Sequence, residues 1–395
     1  MKSKFLTLAA LLLITLISSA QSELSIPRYV QLPKDSIVSD QLISDLNKFL
    51  IAAQEENELN SYILPTEKVE TYILLDEFKG IEKARKDENF FKPYLNTVVK
   101  LEPDTYLIQL SHIGVNDSIP YLRTVYNLIA HHQNNTFLFS SPLLENTKQW
   151  KTLAIENCTF HYKDTLNYDN ALAYVKLSKL FDAKLNSEDK KTKLYCTNSR
   201  MELLDVIGID YRLDYNGQTT GTFSAVNGDE QLIVLGNGNE EFDIMDPHDL
   251  WHDRLKLVIS RRKVNKPVDE GCAYIYGGSW GMSWETIFSR FMTEIAFDKD
   301  TDWTDYKENK KNFGESQEEH LMVDYVINAL LIQKIEKEIG FSGVWDLLNC
   351  GVYETGNENY YTALHNIIGI SKVNYNKEVW KLIKAELKRS KSSTK

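Results

Sequence analysis

Apolar and polar positions recur with two different periods along this chain, and the changes of period mark its expected organisation. Leu42, Ile43, Leu46 and Leu50 lie at helical spacing behind Ser39, a good capping residue, and a second helical stretch covers about 66–85. From Asn96 to Ser141 the pattern becomes strand-like. Thr105 to Leu110 and Tyr121 to Ala130 form long runs of strand formers, broken by turn signals at Asn116-Asp117 and Asn134-Asn135. Helices followed by an antiparallel sheet predict an α+β module over residues 21–145.

After Ser141-Pro142 the period changes again. A strand over 155–162 leads to a helix near 168–185, with Tyr174, Leu177 and Phe181 on one face, and then to a strand from Thr192 to Cys196. Ser199 and Glu202 have capping-box spacing, so a short helix starts there and stops at Gly208. Asn227-Gly228 between two strand-forming runs signals a two-residue hairpin, with Gln231 to Leu235 as its second strand. The remainder reads as largely helical. Ser316 and Glu319 form a second capping box, expected to open a helix running to Gly340, and further helices end near Cys350, Gly369 and Ser390. Residues 150–395 are expected to form a second domain.

Composition narrows the function. The 395 residues are 43% hydrophobic and 26% charged, a globular balance with room for two cores. The 45 basic and 56 acidic residues leave a formal charge of -11, which disfavours a nucleic-acid partner. Residues 1–20 carry Lys2 and Lys4, an apolar stretch from Phe5 to Ile17 and then Ser18-Ser19-Ala20, the pattern of a signal peptide cleaved after Ala20. Export to the periplasm or the extracellular space is therefore expected, with no integral membrane segment after cleavage, since no later run is long and apolar enough. Four cysteines, Cys158, Cys196, Cys272 and Cys350, make no disulfide framework, although a pair such as Cys158 with Cys196 is compatible with neighbouring strands.

One segment carries recognisable chemistry. Asp246 is a good N-cap and Pro247 a good first helical residue, so a helix is expected from about 247 to 262, with Arg261, Arg262 and Lys263 at the negative end of its dipole. His248 and His252 are four apart and share a face, which Leu255 and Ile259 continue into the core. Two imidazoles at that spacing suit one zinc ion. Glu270, at the start of a second short helix ending at Gly277-Gly278, offers a third ligand and leaves a fourth position open for water.

This order of hairpin, paired-histidine helix, Asp269-Glu270-Gly271-Cys272-Ala273 helix and helical lobe resembles the gluzincin metallopeptidases, which carry H-E-x-x-H followed by a glutamate in an N/D-E-G-x-A sequence. It is also similar to secreted peptidase-like proteins of the Bacteroidetes. The resemblance spans roughly 150–395 and implies a zincin-like domain: a small mixed sheet with an active-site helix, then a helical C-terminal lobe. It further implies a Zn2+ cofactor held by His248, His252 and Glu270, and a peptide or protein substrate aligned along the strand from Gln231 to Leu235 as an edge strand. The family's base is a glutamate, and Asp249 stands in its place here, one carbon shorter. Tyr325, or His320, matches the donor that such enzymes bring from the helical lobe to an oxyanion. Asp253 is a candidate to orient an imidazole, or else to pair with Arg254 on the surface.

The expected function is an exported zinc-dependent peptidase with Asp249 as base. The alternative keeps the fold and loses the rate, leaving a peptide-binding or scaffold relative. A third reading places the function in residues 21–145, whose element order is loosely similar to the cone-shaped ketosteroid-isomerase-like domains that hold a small ligand. His131 and His132, adjacent on a strand, face opposite ways and are expected to be solvated rather than to share a ligand.

Overall fold

A computed structural model describes residues 23–84, 89–260, 263–296, 298, 300–316 and 319–393. The expected signal peptide lies outside the described residues, as do Arg261 and Arg262. The chain forms two compact units. One is built from the chain up to Asn167 with Lys190–Asp243, the other from Tyr168–Asp189 with the chain from Ile244 onward. Helices and two sheets together give the α+β fold that the sequence pattern predicts.

In the first unit, α1 (Ser36–Ala52) and α2 (Lys68–Phe78) precede β1 (Lys92–Glu102), β2 (Thr105–Asn116), β3 (Ile119–Gln133) and β4 (Thr136–Ser140). These four strands form an antiparallel sheet in sequential order. Its two tight turns have positive φ at both central residues, Asp117 (49°) with Ser118 (67°) and Asn134 (50°) with Asn135 (60°). Such turns match the twist of the flanking strands, and Asn and Asp tolerate them; the Asn134-Asn135 signal is correctly placed, and the other turn forms one residue after Asn116-Asp117 begins.

The chain continues through α3 (Leu143–Asn146), β5 (Lys151–Ile155), β6 (Cys158–Tyr162), α4 (Tyr168–Leu185, in the second unit), β7 (Lys191–Cys196), α5 (Arg200–Ile207), β8 (Ile209–Arg212), β9 (Gly221–Asn227) and β10 (Glu230–Gly236). Ser199 caps α5 by accepting from the Glu202 N–H at 3.2 Å, and Gly208 ends it at φ 96°. The second sheet has the order β5-β6-β7-β10-β9, with β6, β7 and β10 parallel and the two outer strands antiparallel. The strand from Gln231 to Leu235 is therefore interior, paired on both sides. It cannot offer main-chain groups to a peptide, and the edge position belongs to β9.

The expected boundary at 145–150 falls inside the first unit, and α2 supplies the reason. That helix is buried on almost every side and packs on β4 of one sheet and on β9 and β10 of the other, which joins both sheets into one core with Phe49, Phe139, Tyr195, Leu232 and Val234. Its buried Glu70 meets Lys193 of β7 at 2.6 Å. The helix stops at Phe78 rather than near 85, because Lys79 turns extended and Gly80 adopts φ 70°. Cys158 and Cys196 lie on neighbouring strands as expected, but Cys158 pairs with Thr192, four residues short of Cys196, and no disulfide forms among the described cysteines.

The named secondary-structure elements of the second unit are all helices among the described residues. To α4 it adds α6 (Pro247–Leu255), α7 (Lys266–Gly277), α8 (Trp284–Glu294), α9 (Trp303–Asn309), α10 (Val323–Glu338), α11 (Phe341–Leu348), α12 (Glu358–Ile368) and α13 (Tyr375–Ser393). Two boundaries differ from expectation. α6 ends at Leu255 rather than 262, since the N–H groups of Leu257 and Val258 bond only three residues back and close the helix in turns; Leu255 and Ile259 are nonetheless both buried. α10 begins at Val323 rather than after Ser316. The Glu319 N–H does donate to Ser316 Oγ at 3.2 Å, but Asn312 Oδ1 accepts from the N–H groups of Gly314 and Leu321, and Leu321 is thereby held outside the helix.

α7 lies directly against α10. A Cβ on Gly271 would come within 2.8 Å of Asn328 Cβ and 2.9 Å of the Ala329 nitrogen, so only glycine allows the two backbones this close. Gly271→Ala is expected to destabilise the fold by about 1–3 kcal/mol, the usual penalty of overpacking a tight contact. A denaturant midpoint unchanged by the substitution would show that the two helices separate freely.

Candidate metal centre

The site grows from the first two turns of α6 and of α7. Asp246 caps α6, its Oδ1 accepting from the His248 N–H at 2.8 Å, and Pro247 presets the first turn. His248 and His252 then project from one face, with ring centroids 4.8 Å apart. α7 crosses this turn closely. A Cβ on Gly277 would lie 2.4 Å from the His248 nitrogen, which explains the glycine at that position. Three further contacts hold α6 in place. Buried Arg254 donates to both oxygens of Asp182 on α4, at 2.6 and 2.5 Å, and Trp251 packs edge-on to Phe181 at 5.4 Å. Trp251 Nε1 also donates to Asp269 of α7 at 3.0 Å.

These constraints aim three ligand atoms at one point. His248 Nε2 and His252 Nε2 are 3.2 Å apart, and Glu270 Oε2 lies 3.6 Å from the first and 3.7 Å from the second. A position about 2.0 Å from all three sits at the centre of that triangle, which is the distance zinc keeps from imidazole nitrogen and carboxylate oxygen. The expected trio is thus brought together, and it is a group that could hold a metal ion.

The outer ring nitrogens decide what the inner ones can be. His248 Nδ1 donates to the Gly278 carbonyl at 2.7 Å, and a carbonyl can only accept. His252 Nδ1 donates to Asp269 Oδ1 at 2.9 Å. In the neutral rings both protons are therefore on Nδ1, and both Nε2 lone pairs face each other and the Glu270 carboxylate. Three electron-pair donors crowded within 3.7 Å of one another need a cation among them, either protons or a metal.

The titration behaviour of the metal-free site expresses the same demand. Burial opposes the charged form of His252, but its contacts with Asp269 and Glu270 outweigh that and hold its pKa at about 9. For His248 burial is likewise outweighed, chiefly by Glu270, and the pKa is raised. Burial would push the Glu270 carboxyl up, yet the two imidazoles more than reverse this and keep it well below the usual carboxylate range.

A cleft of about 490 Å³ opens on this centre, and His248, Asp249, Glu270, Trp280, His320 and Tyr325 contribute to its lining. Asp249 is exposed to it, and desolvation first, then the neighbouring charge of Asp246, raise its carboxyl above the ordinary value. Tyr325 stands in the first turn of α10, its hydroxyl pKa raised by burial and then by the charge of Glu270. His320 is not on that helix but on the preceding loop, which Tyr274 of α7 ties down, its hydroxyl donating to the His320 carbonyl at 3.1 Å.

Asp253 does not orient an imidazole. It pairs with Lys256 at 2.7 Å, while Arg254 is buried against Asp182 rather than lying on the surface. The orienting groups are Asp269 and the Gly278 carbonyl, neither of which sequence reasoning identified. For Asp269 a signal existed: it immediately precedes Glu270, and adjacent helical residues point about 100° apart, so one can ligate while the other reaches a ring from the side. His131 meets Ser140 Oγ at 3.1 Å and His132 stacks on Phe137, so neither is simply solvated.

Comparison of the chain with protein-family models, with curated proteins and with solved structures finds no match, so the reading of this centre rests on its own geometry.

Proposed function

We propose that this protein is a zinc-dependent hydrolase of peptide bonds, with His248, His252 and Glu270 as the metal ligands. The observation that carries the proposal is the convergence of two imidazole nitrogens and a carboxylate oxygen on one point while both outer ring nitrogens are already committed as donors. A zinc ion here would supply Lewis acidity, lowering the pKa of water toward neutrality and polarising a carbonyl. The chain's own residues would do the rest. Asp269 and the Gly278 carbonyl fix both imidazoles as Nε2 ligands, Asp249 faces the cleft as the carboxylate that accepts a proton, and Tyr325 offers a hydroxyl donor to developing negative charge. Peptide is the substrate class favoured by the resemblance to the gluzincins.

The shorter arm of Asp249 favours a second reading, in which zinc and peptide bind but cleavage is slow. A misplacement of about 1 Å in a reacting group can cost on the order of a hundredfold. Under the hydrolase reading, Asp249→Asn lowers peptide turnover about a hundredfold or more, with zinc retained. If instead the wild type is nearly inert and Asp249→Glu raises turnover sharply, the slow-cleavage reading replaces it.

Metal analysis tests the ligands directly. The full chain is expected to bind one zinc per molecule, His248→Ala and His252→Ala to abolish that binding, and Asp269→Asn to weaken it by roughly 10–100-fold as an orienting partner. Equal zinc content in wild type and the double histidine variant would remove the proposal.

The metal-free protein should also show its protonated centre. The folded pKa of His252 is about 9 against an ordinary 6.5, so its stabilising contribution is complete below 6.5 and is lost as pH rises through about 9. The melting temperature of chelator-treated protein is expected to fall between pH 6.5 and 9.5. Zinc affinity rises over the same interval as protons leave the rings. A flat melting profile without metal would contradict the charged cluster.

A further inference from the structure

The chain that leaves α7 does something unusual beside the metal centre. Gly278, with φ 74° and ψ -154°, turns its carbonyl onto His248 Nδ1, and a Cβ at this position would lie 2.0 Å from the Met282 carbonyl oxygen. Ser279 and Met282 then exchange main-chain hydrogen bonds of 3.0 and 2.9 Å, closing a two-residue turn over Trp280 and Gly281. Both central residues have positive φ, 53° and 71°. That turn favours Asn-Gly, whose first residue tolerates the left-handed region, whereas a bulky side chain there is an outlier. Tryptophan occupies it nonetheless, and its side chain is not hidden in a core that could offset the strain, since Trp280 is 55% exposed.

The turn is held at both ends. Its first residue follows the carbonyl that orients His248, and Ser283, immediately after it, caps α8 by accepting from Thr286. Trp280 therefore projects from a short, braced connection only two residues from Gly278, into the lining of the cleft that also exposes His248 and Glu270. Met322 and Tyr325 line the same cleft and add a thioether and a second aromatic ring to its apolar part. A strained, exposed indole beside such a centre is the kind of outlier that functional contact retains against local conformational preference.

We infer that Trp280 is a specificity-determining residue which, with Met322 and Tyr325, takes an aromatic side chain of the substrate close to the bond held at the metal. Stacking and sulfur contacts favour an aromatic ring over a small aliphatic side chain at this place. The inference rests on the hydrolase reading of the same cleft and adds the side-chain class that the cleft selects.

The test uses the full zinc-loaded chain and three zinc-binding hydroxamates that differ only in carrying a phenylalanine, alanine or arginine side chain, titrated by calorimetry. The phenylalanine ligand is expected to bind tighter than the alanine ligand by roughly tenfold or more, and Trp280→Asn to remove that difference. The same variant, relieved of an unfavourable left-handed tryptophan, is expected to keep its zinc and to melt no lower than wild type. Four results each overturn the role of Trp280 while leaving the zinc centre standing: equal binding of the phenylalanine and alanine ligands by wild type, a preference for arginine, a preference that survives in Trp280→Asn, or a lower melting temperature of that variant. Failure of all three ligands to bind the zinc-saturated protein, or binding unaltered when zinc is removed, would overturn the metal-centre reading, and this inference with it.

Discussion

A single carboxylate oxygen, Oδ1 of Asp269, fixes the geometry on which the candidate site depends. It accepts from Trp251 Nε1 and from His252 Nδ1, so one atom of α7 positions both the packing residue and the ligand residue of α6. Neither donor has solvent to turn to, because Trp251 is fully buried and His252 nearly so. A buried N–H left without an acceptor costs more than the bond contributes when formed, which makes this register between the helices stiff rather than adjustable. Arg254 on Asp182 and the absence of a side chain at Gly277 act in the same direction, the first by anchoring α6 and the second by letting α7 approach it.

That stiffness has an electrostatic consequence. Because the outer ring nitrogens are occupied, the inner ones cannot reorganise into a neutral hydrogen-bonded pair, and Glu270 adds a negative charge to the same point. The fold thus holds the three donors together before any cation arrives. A site arranged in this way loses little conformational freedom on binding, but without a metal it must accept protons instead. The raised pKa of His252 and the depressed one of Glu270 are two expressions of that single requirement.

Local signals in the sequence were reliable where local chemistry is sufficient. The Asn134-Asn135 turn, the Ser199 cap and the Asp246-Pro247 helix start depend on a few neighbouring residues and are found where those residues stand, while two further turns form one residue after their signals, over Asp117-Ser118 and Gly228-Asp229. Errors arose where a distant partner outweighs a local preference. Ser316 and Glu319 make their capping bond, but Asn312 holds the Leu321 N–H and α10 starts only at Val323. The strand from Gln231 to Leu235 has the composition of either an edge or an interior strand, and only its pairing with β7 settles which.

For the candidate site, the sequence by itself determined that His248 and His252 share a helical face and that Glu270 lies in the next helix, because helical periodicity and capping are properties of contiguous residues. Only the tertiary structure decided that the three converge, that Asp269 rather than Asp253 orients the second ring, and that Trp280 stands at the cleft. Those facts depend on how closely two helix backbones approach and on which donor meets which acceptor across the gap. Spacing along the chain carries no record of either distance.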